Sequence, residues 1–295
     1  MPKPTLRRHA NDWQADLDRF RAVCATQRRI IEGHDWEFIQ RGDGAQAVLI
    51  LPGGLAVAET AFRYIQRLEA RYRVIAPTYP ETVACMADLA DGLAKLIQSQ
   101  RIARVHVVGG SYSGLVAQCF VRHSPALVET LALADTGVPR RWRAAQFAAY
   151  QPMLAHLPLP IVRGLSRMGM CLFVRKLPAQ RAFWQRYFRQ RIANMTRAAF
   201  VSHLAAWRDF DRSYQFTAHD LASWHGRMLI VEAERDGLFG RRERMALQKL
   251  YPAAQIHTFA NRSHGASLAH MDDYIAVIER FLAGADTMAP DSRST

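Results

Sequence analysis

The stretch Val-His-Val-Val-Gly-Gly-Ser-Tyr-Ser-Gly at residues 105–114 is where this chain is best equipped to do chemistry. A short β-branched strand runs into the glycine-flanked Ser111, and a helix-forming segment, Leu115 to Val121, follows. A serine at the apex of such a strand-to-helix turn presents its hydroxyl outward, provided that the residues two before and two after it are small. Gly109 and Gly110 supply that permissiveness on one side, and Ser113 stands where a second glycine is usual. The same run is also compatible with plain turn chemistry. A serine hydroxyl is a weak nucleophile and needs an imidazole base that is itself oriented by a carboxylate. Later loops provide both. Asp236 follows the strand candidate Met228–Glu232 in Ala-Glu-Arg-Asp-Gly-Leu-Phe (233–239), and His264 follows Gln255–Phe259 in Ala-Asn-Arg-Ser-His-Gly (260–265).

Parallel strands deliver their C-terminal loops to one edge of a sheet, so Ser111, Asp236 and His264 are expected to converge there. Each has a rival or a blander role. Asp135, at the end of the strand candidate Thr130–Ala134, competes as the orienting acid, and Glu234 is a weaker competitor. His270 competes as the base, although a position inside the last helix would shorten its reach. Asp236 could equally cap a turn before Gly237. Negative charge developing on an acyl oxygen needs preorganised N–H donors. One is the N–H of Tyr112, directly after the serine. The other is expected from Pro52-Gly53-Gly54-Leu55, where Gly54 or Leu55 would donate and two glycines let the backbone come close.

The elements that must position these residues alternate. Residues Asp12 to Ile31 read as an opening helix, with Trp13, Leu17, Phe20, Val23 and Cys24 at helical spacing. Strand candidates follow at Asp35–Ile39, Ala47–Leu51, Arg73–Ala76, Arg104–Val108, Thr130–Ala134, Met228–Glu232 and Gln255–Phe259. Arg41-Gly42-Asp43-Gly44 reads as a hairpin turn between the first two of these. Helical segments at Glu59–Ala70, Thr82–Gln100 and Leu115–His123, with a last one from about Ser267, separate later strands. The short apolar runs without alternation suit parallel strands covered on both faces. The fold class is therefore α/β, a mostly parallel doubly wound sheet. Between Pro139 and Ala222 the pattern is helical throughout, and Phe183 with Tyr187 and Trp184 with Phe188 make an aromatic stripe that reads as core packing. The domain expectation is an N-terminal helical extension (1–32), a core in two pieces (33–138 and 223–283), a helical lid insertion (139–222) and a flexible tail (284–295).

The chain has 295 residues and a formal net charge of +13. Segment 139–222 concentrates that charge, with 14 Arg or Lys against 3 Asp or Glu. A basic face attracts anions, and a weak association with anionic surfaces through the lid is one reading; a merely solvated face is another. The absence of any nucleic-acid motif argues against nucleic acid as a partner. No run approaches the roughly 20 apolar residues of a membrane span. Met1 to Asp18 lacks the apolar stretch of a signal peptide, so the location expected is cytoplasmic. Cys24, Cys85, Cys119 and Cys171 have no metal-like spacing and read as reduced thiols, mostly core fillers.

From roughly Trp36 to Phe281 the chain resembles the α/β-hydrolase superfamily, on Leu-Pro-Gly-Gly (51–54), Gly-Gly-Ser-Tyr-Ser-Gly (109–114), Glu-Arg-Asp-Gly-Leu-Phe (234–239) and Ser-His-Gly (263–265). Tyr-Arg-Val-Ile-Ala-Pro-Thr-Tyr-Pro (72–80), Gly-Leu-Val-Ala-Gln (114–118) and Lys-Leu-Tyr-Pro-Ala-Ala (249–254) look like its maspardin branch. The resemblance implies a lidded sheet with residues 139–222 over Ser111, and neither metal nor organic cofactor. The activity expected is hydrolysis of a carboxylic ester, thioester or lactone, with Ser111 as nucleophile, His264 as base, Asp236 as orienting acid, and Gly54 and Tyr112 as the oxyanion hole. An amphiphilic or anionic acyl substrate would suit the arginine-rich lid. Two other readings remain open: carbon–carbon bond hydrolysis by the same triad, and a non-catalytic binding protein of the maspardin kind.

Overall fold

In a computed structural model of the chain, residues 12–175, 177 and 179–284 are described. Eight strands, β1 (Thr26–Ile31), β2 (His34–Arg41), β3 (Ala47–Leu51), β4 (Arg73–Thr78), β5 (Val105–Gly110), β6 (Val128–Ala134), β7 (Arg227–Ala233) and β8 (Gln255–Phe259), form one sheet in the order β1-β2-β4-β3-β5-β6-β7-β8. From β4 onward across the sheet every pairing is parallel, whereas β2 runs antiparallel to both β1 and β4. The helices are α1 (Trp13–Val23), α2 (Phe62–Leu68), α3 (Met86–Ser99), α4 (Tyr112–His123), α5 (Arg141–His156), α6 (Leu159–Arg175), α7 (Arg181–Asn194), α8 (Arg197–Ser213), α9 (Arg241–Leu250), α10 (Ala266–Ala269) and α11 (Met271–Leu282).

Strand alternation sends successive side chains to opposite faces, so the central strands feed two cores. Val48 and Ile50 of β3 join one with α1, α2, α7 and α11, while Ala47, Leu49 and Leu51 join the other with α3, α4, α8 and α9. Covering on both faces is why these strands are apolar runs rather than alternating ones.

Two local expectations are corrected. The opening helix ends at Val23, and Thr26–Ile31 is an edge strand paired residue for residue with β2. Five of its six side chains are exposed, so it lacks the apolar alternation that marks a half-buried strand. Glu32 and Gly33, both at positive φ (49° and 77°), make the tight turn that joins the pair. Arg41–Gly44, in contrast, is no hairpin, because β4 lies between β2 and β3. A Cβ at Gly42 would meet the carbonyl oxygens of Tyr72 and Glu69 at 2.1 and 2.5 Å. Close approach to the α2–β4 connection requires the glycine there.

Helices α5 to α8 are inserted between β6 and β7, with α5 against α8 and α6 against α7. The α7 aromatics Phe183, Trp184, Tyr187 and Phe188 are all buried, and Trp13 of α1 lies edge-on to Phe183 and Trp184 at 5.6 and 6.0 Å. Arg143 of α5 fastens the insertion to the sheet domain: it forks onto Asp211 of α8 at 2.6 and 2.7 Å and reaches Glu243 of α9 at 3.2 Å. No helix among the described residues is long and apolar enough to cross a membrane. All four cysteines are free; Cys24 and Cys119 are buried, but Cys171 is exposed on α6, so it is no core filler. Residues 1–11 of the expected extension and all but Gly284 of the expected tail lie outside the described residues.

Candidate active site

Strand β5 ends at Gly110 and α4 starts at Tyr112, leaving Ser111 alone at the turn with φ 55° and ψ −124°. Positive φ costs a serine free energy, and the neighbourhood holds it there. The Ser111 N–H donates to the Ala134 carbonyl at 2.8 Å, and the Thr136 hydroxyl donates to the Ser111 carbonyl at 2.8 Å. A Cβ at Gly109 would meet the Ser113 carbonyl oxygen at 2.5 Å, so the crowding of the turn falls on position 109. The Ser113 side chain is not in that contact. Its hydroxyl accepts from the Gly110 N–H and donates to the Gly110 carbonyl, both at 2.8 Å. The departure from glycine at 113 therefore adds two bonds that brace the turn.

The Ser111 hydroxyl lies 3.1 Å from His264 Nε2, and His264 Nδ1 lies 2.8 Å from Asp236 Oδ2. A carboxylate only accepts, so Nδ1 carries the proton and Nε2 is left to accept from the serine hydroxyl. The second Asp236 oxygen, Oδ1, accepts the N–H groups of Leu238 and Phe239, each at 2.7 Å. Asp236 thus caps its own turn and orients the histidine at once. Such a chain can take a proton from the serine and stabilise the resulting imidazolium.

Among the described residues, the competing side chains make no hydrogen bond to Ser111 or His264. Asp135 Oδ1 accepts the Ala233 N–H at 2.8 Å, while its Oδ2 is buried with the Tyr274 hydroxyl as its neighbour. Burial pushes this carboxyl up to about 7, opposed by His264 and reinforced by Asp236. Glu234 accepts the Asn261 N–H at 2.7 Å and ties the two loops together. His270 sits at the junction of α10 and α11 rather than at Ser111. The Tyr112 N–H is one of the first four of α4, which have no carbonyl a turn earlier to bond. Gly54 lines the same cavity as Ser111, and a Cβ there would meet nothing within 4 Å.

That cavity, about 400 Å³, lies between the sheet edge and α6–α8. Its walls include Ser111, His264, Met170, Phe173, Trp184 and Trp207, and among the described residues that line it none is Asp, Glu, Lys or Arg. His203 of α8 lines it too, its ring 3.9 Å from that of Tyr112. Burial pushes the His203 imidazole down to about 4, so it is neutral near pH 7. Sequence reading missed His203 and Trp207; their spacing of four along α8 puts them on one helical face, but periodicity does not reveal which face meets the cavity. Among the described residues, no group of three or more His, Cys, Asp or Glu side chains is placed to hold a metal ion.

Residues 48–279 match the alpha/beta hydrolase family, and the chain belongs to it. Maspardin of Danio rerio is 28% identical over 145 residues, which are 45% of this chain and 46% of that protein. The chain spans less than half the length of the curated relatives it matches. Among solved structures, a thermophilic esterase from Thermogutta terrifontis superposes with a TM-score of 0.71 at 18% identity, over 89% of this chain and 100% of that one. A meta-cleavage product hydrolase from Pseudomonas fluorescens gives 0.68 at 18% identity, over 88% and 98%. At these identities the likeness is one of fold.

Proposed function

We propose that this protein is a serine hydrolase that cleaves a carboxylic ester, thioester or lactone through an acyl-enzyme on Ser111. The observation that carries the reading is the unbroken hydrogen-bonded chain Ser111–His264–Asp236, opening on an apolar cavity. Ser111 Oγ attacks the acyl carbon as its proton passes to His264 Nε2. Asp236 holds the imidazole and stabilises its positive charge. The N–H groups of Tyr112 and Gly54 receive the oxyanion. As the tetrahedral intermediate collapses, the bond to the leaving group breaks and His264 returns the proton to it. Water, deprotonated by His264, then attacks the acyl carbon and releases the acid and Ser111.

Residues 33–138 and 223–283 serve as the catalytic core and 139–222 as a lid, in this reading. The apolar walls that the described residues give the cavity favour a neutral, largely apolar acyl group over an anionic one, since an unpaired carboxylate would lose its hydration there. The test is turnover across a panel of esters, thioesters and lactones. Ser111→Ala and His264→Ala are expected to lower kcat by at least about 10³-fold with the fold intact. No turnover by folded wild-type protein across the panel would favour a non-catalytic binding role instead.

A further inference from the structure

Helix α6 is apolar on both sides. Its inner side contributes Met170 and Phe173 to the cavity wall and buries Val162 and Val174. Its outer side exposes Ile161, Leu165, Met168 and Leu172, at 48%, 44%, 58% and 53%. The spacing of four, three and four puts these side chains on one stripe along the helix. Gly164 and Gly169 keep that side open, since a Cβ at either would meet nothing within 4 Å. The preceding helix, α5, separately exposes Trp142, Tyr150 and Met153. A run of large apolar side chains left in water marks a surface that something covers.

Charge says what covers it. From Pro139 to Arg208 the sequence carries 13 Arg or Lys and no Asp or Glu at all. On α6 itself, Arg175 is exposed beside the stripe, and Arg167 is exposed further round the helix. We propose that the outer face of α6 docks on an anionic lipid surface, with the stripe seated at the boundary of headgroups and acyl chains and the arginines on lipid phosphates. An interfacial helix combines these two features, an apolar stripe and cationic neighbours, and exposed Trp and Tyr favour the headgroup level. A nucleic acid would satisfy the arginines but leave the aliphatic stripe in water.

The experiment is vesicle flotation of the full chain. At low salt the protein floats with mixed phosphatidylcholine–phosphatidylglycerol vesicles and much less with phosphatidylcholine alone. The variant Ile161→Gln/Leu165→Gln/Met168→Gln/Leu172→Gln lowers the bound fraction at least about tenfold. Arg167→Gln/Arg175→Gln weakens binding several-fold and flattens its salt dependence. All six positions avoid the cores, and circular dichroism with thermal melting checks that the variants fold. Two results overturn the proposal: wild-type protein that stays with the unbound fraction, whatever acidic protein it binds instead, or a stripe variant that floats as well as wild type. Flotation reads binding alone, so its failure leaves the hydrolase reading untouched.

Discussion

Two aspartates end adjacent strands beside His264, and burial separates their roles. Asp236 accepts from His264 through one oxygen and from its own turn through the other. Asparagine at 236 would keep the turn bonds but face Nδ1 with an amide donor, inverting the imidazole tautomer; Asp236→Asn is expected to lower kcat by about 10³–10⁴-fold. Asp135 has one oxygen on the Ala233 N–H and the other buried, with the Tyr274 hydroxyl as its neighbour. With its carboxyl pushed up to about 7 by burial, the folded state holds a proton that the unfolded chain has already lost. Its stabilising contribution is therefore full at about pH 4 and is lost as pH rises through about 7. Asp135→Asn removes that loss, so denaturant unfolding should show the variant more stable than wild type at pH 8, by on the order of 3 kcal/mol, and level with it near pH 4. Its turnover should stay within a few-fold of wild type; an inactive Asp135→Asn would make Asp135 the orienting acid. The sequence left both aspartates open because each ends a strand, and the direction of a carboxylate oxygen is not a property of spacing. Position 113 was likewise visible only as a departure from glycine; its two bonds to Gly110 need the folded turn.

Burial makes most of the strands legible, and the exposed edge strand β1 was missed. The parallel strands β3 to β7 show as apolar runs because helices cover both their faces. Strand β1 buries only Ile31, and its charged residues, with Arg28 paired to Glu37 across the hairpin, protect an exposed edge instead. In the insertion, helices were legible as helices, but not how they attach. Arg143 does much of that, since it joins α5, α8 and α9 through two acids it keeps company with in the interior. Burial pushes the carboxyls of Asp211 and Glu243 up, and Arg143 is the chief cation opposing it. Arg143→Met leaves both acids short of their partner, so thermal and denaturant unfolding at pH 7 should show a loss of about 3–5 kcal/mol. A loss below about 1 kcal/mol would mean that the insertion is held by apolar packing alone.

At the scale of the whole molecule, charge and chemistry are kept apart. The chain is strongly basic, yet among the described residues no Asp, Glu, Lys or Arg lines the cavity that holds Ser111 and His264. The fold class and the convergence of Ser111, Asp236 and His264 could be read from motifs at strand ends, because the sheet edge gathers whatever its parallel strands deliver. The composition of the cavity could not be read, because it depends on which face each insertion helix turns inward. The central claim is that Ser111 is an activated nucleophile. Its most direct measurement is labelling with a fluorophosphonate, read by intact mass and then by peptide mapping. One adduct per chain, on Ser111, absent from Ser111→Ala and strongly slowed in His264→Ala, is the result this account predicts. Folded protein that takes up no label, or takes it up on another residue, would contradict it.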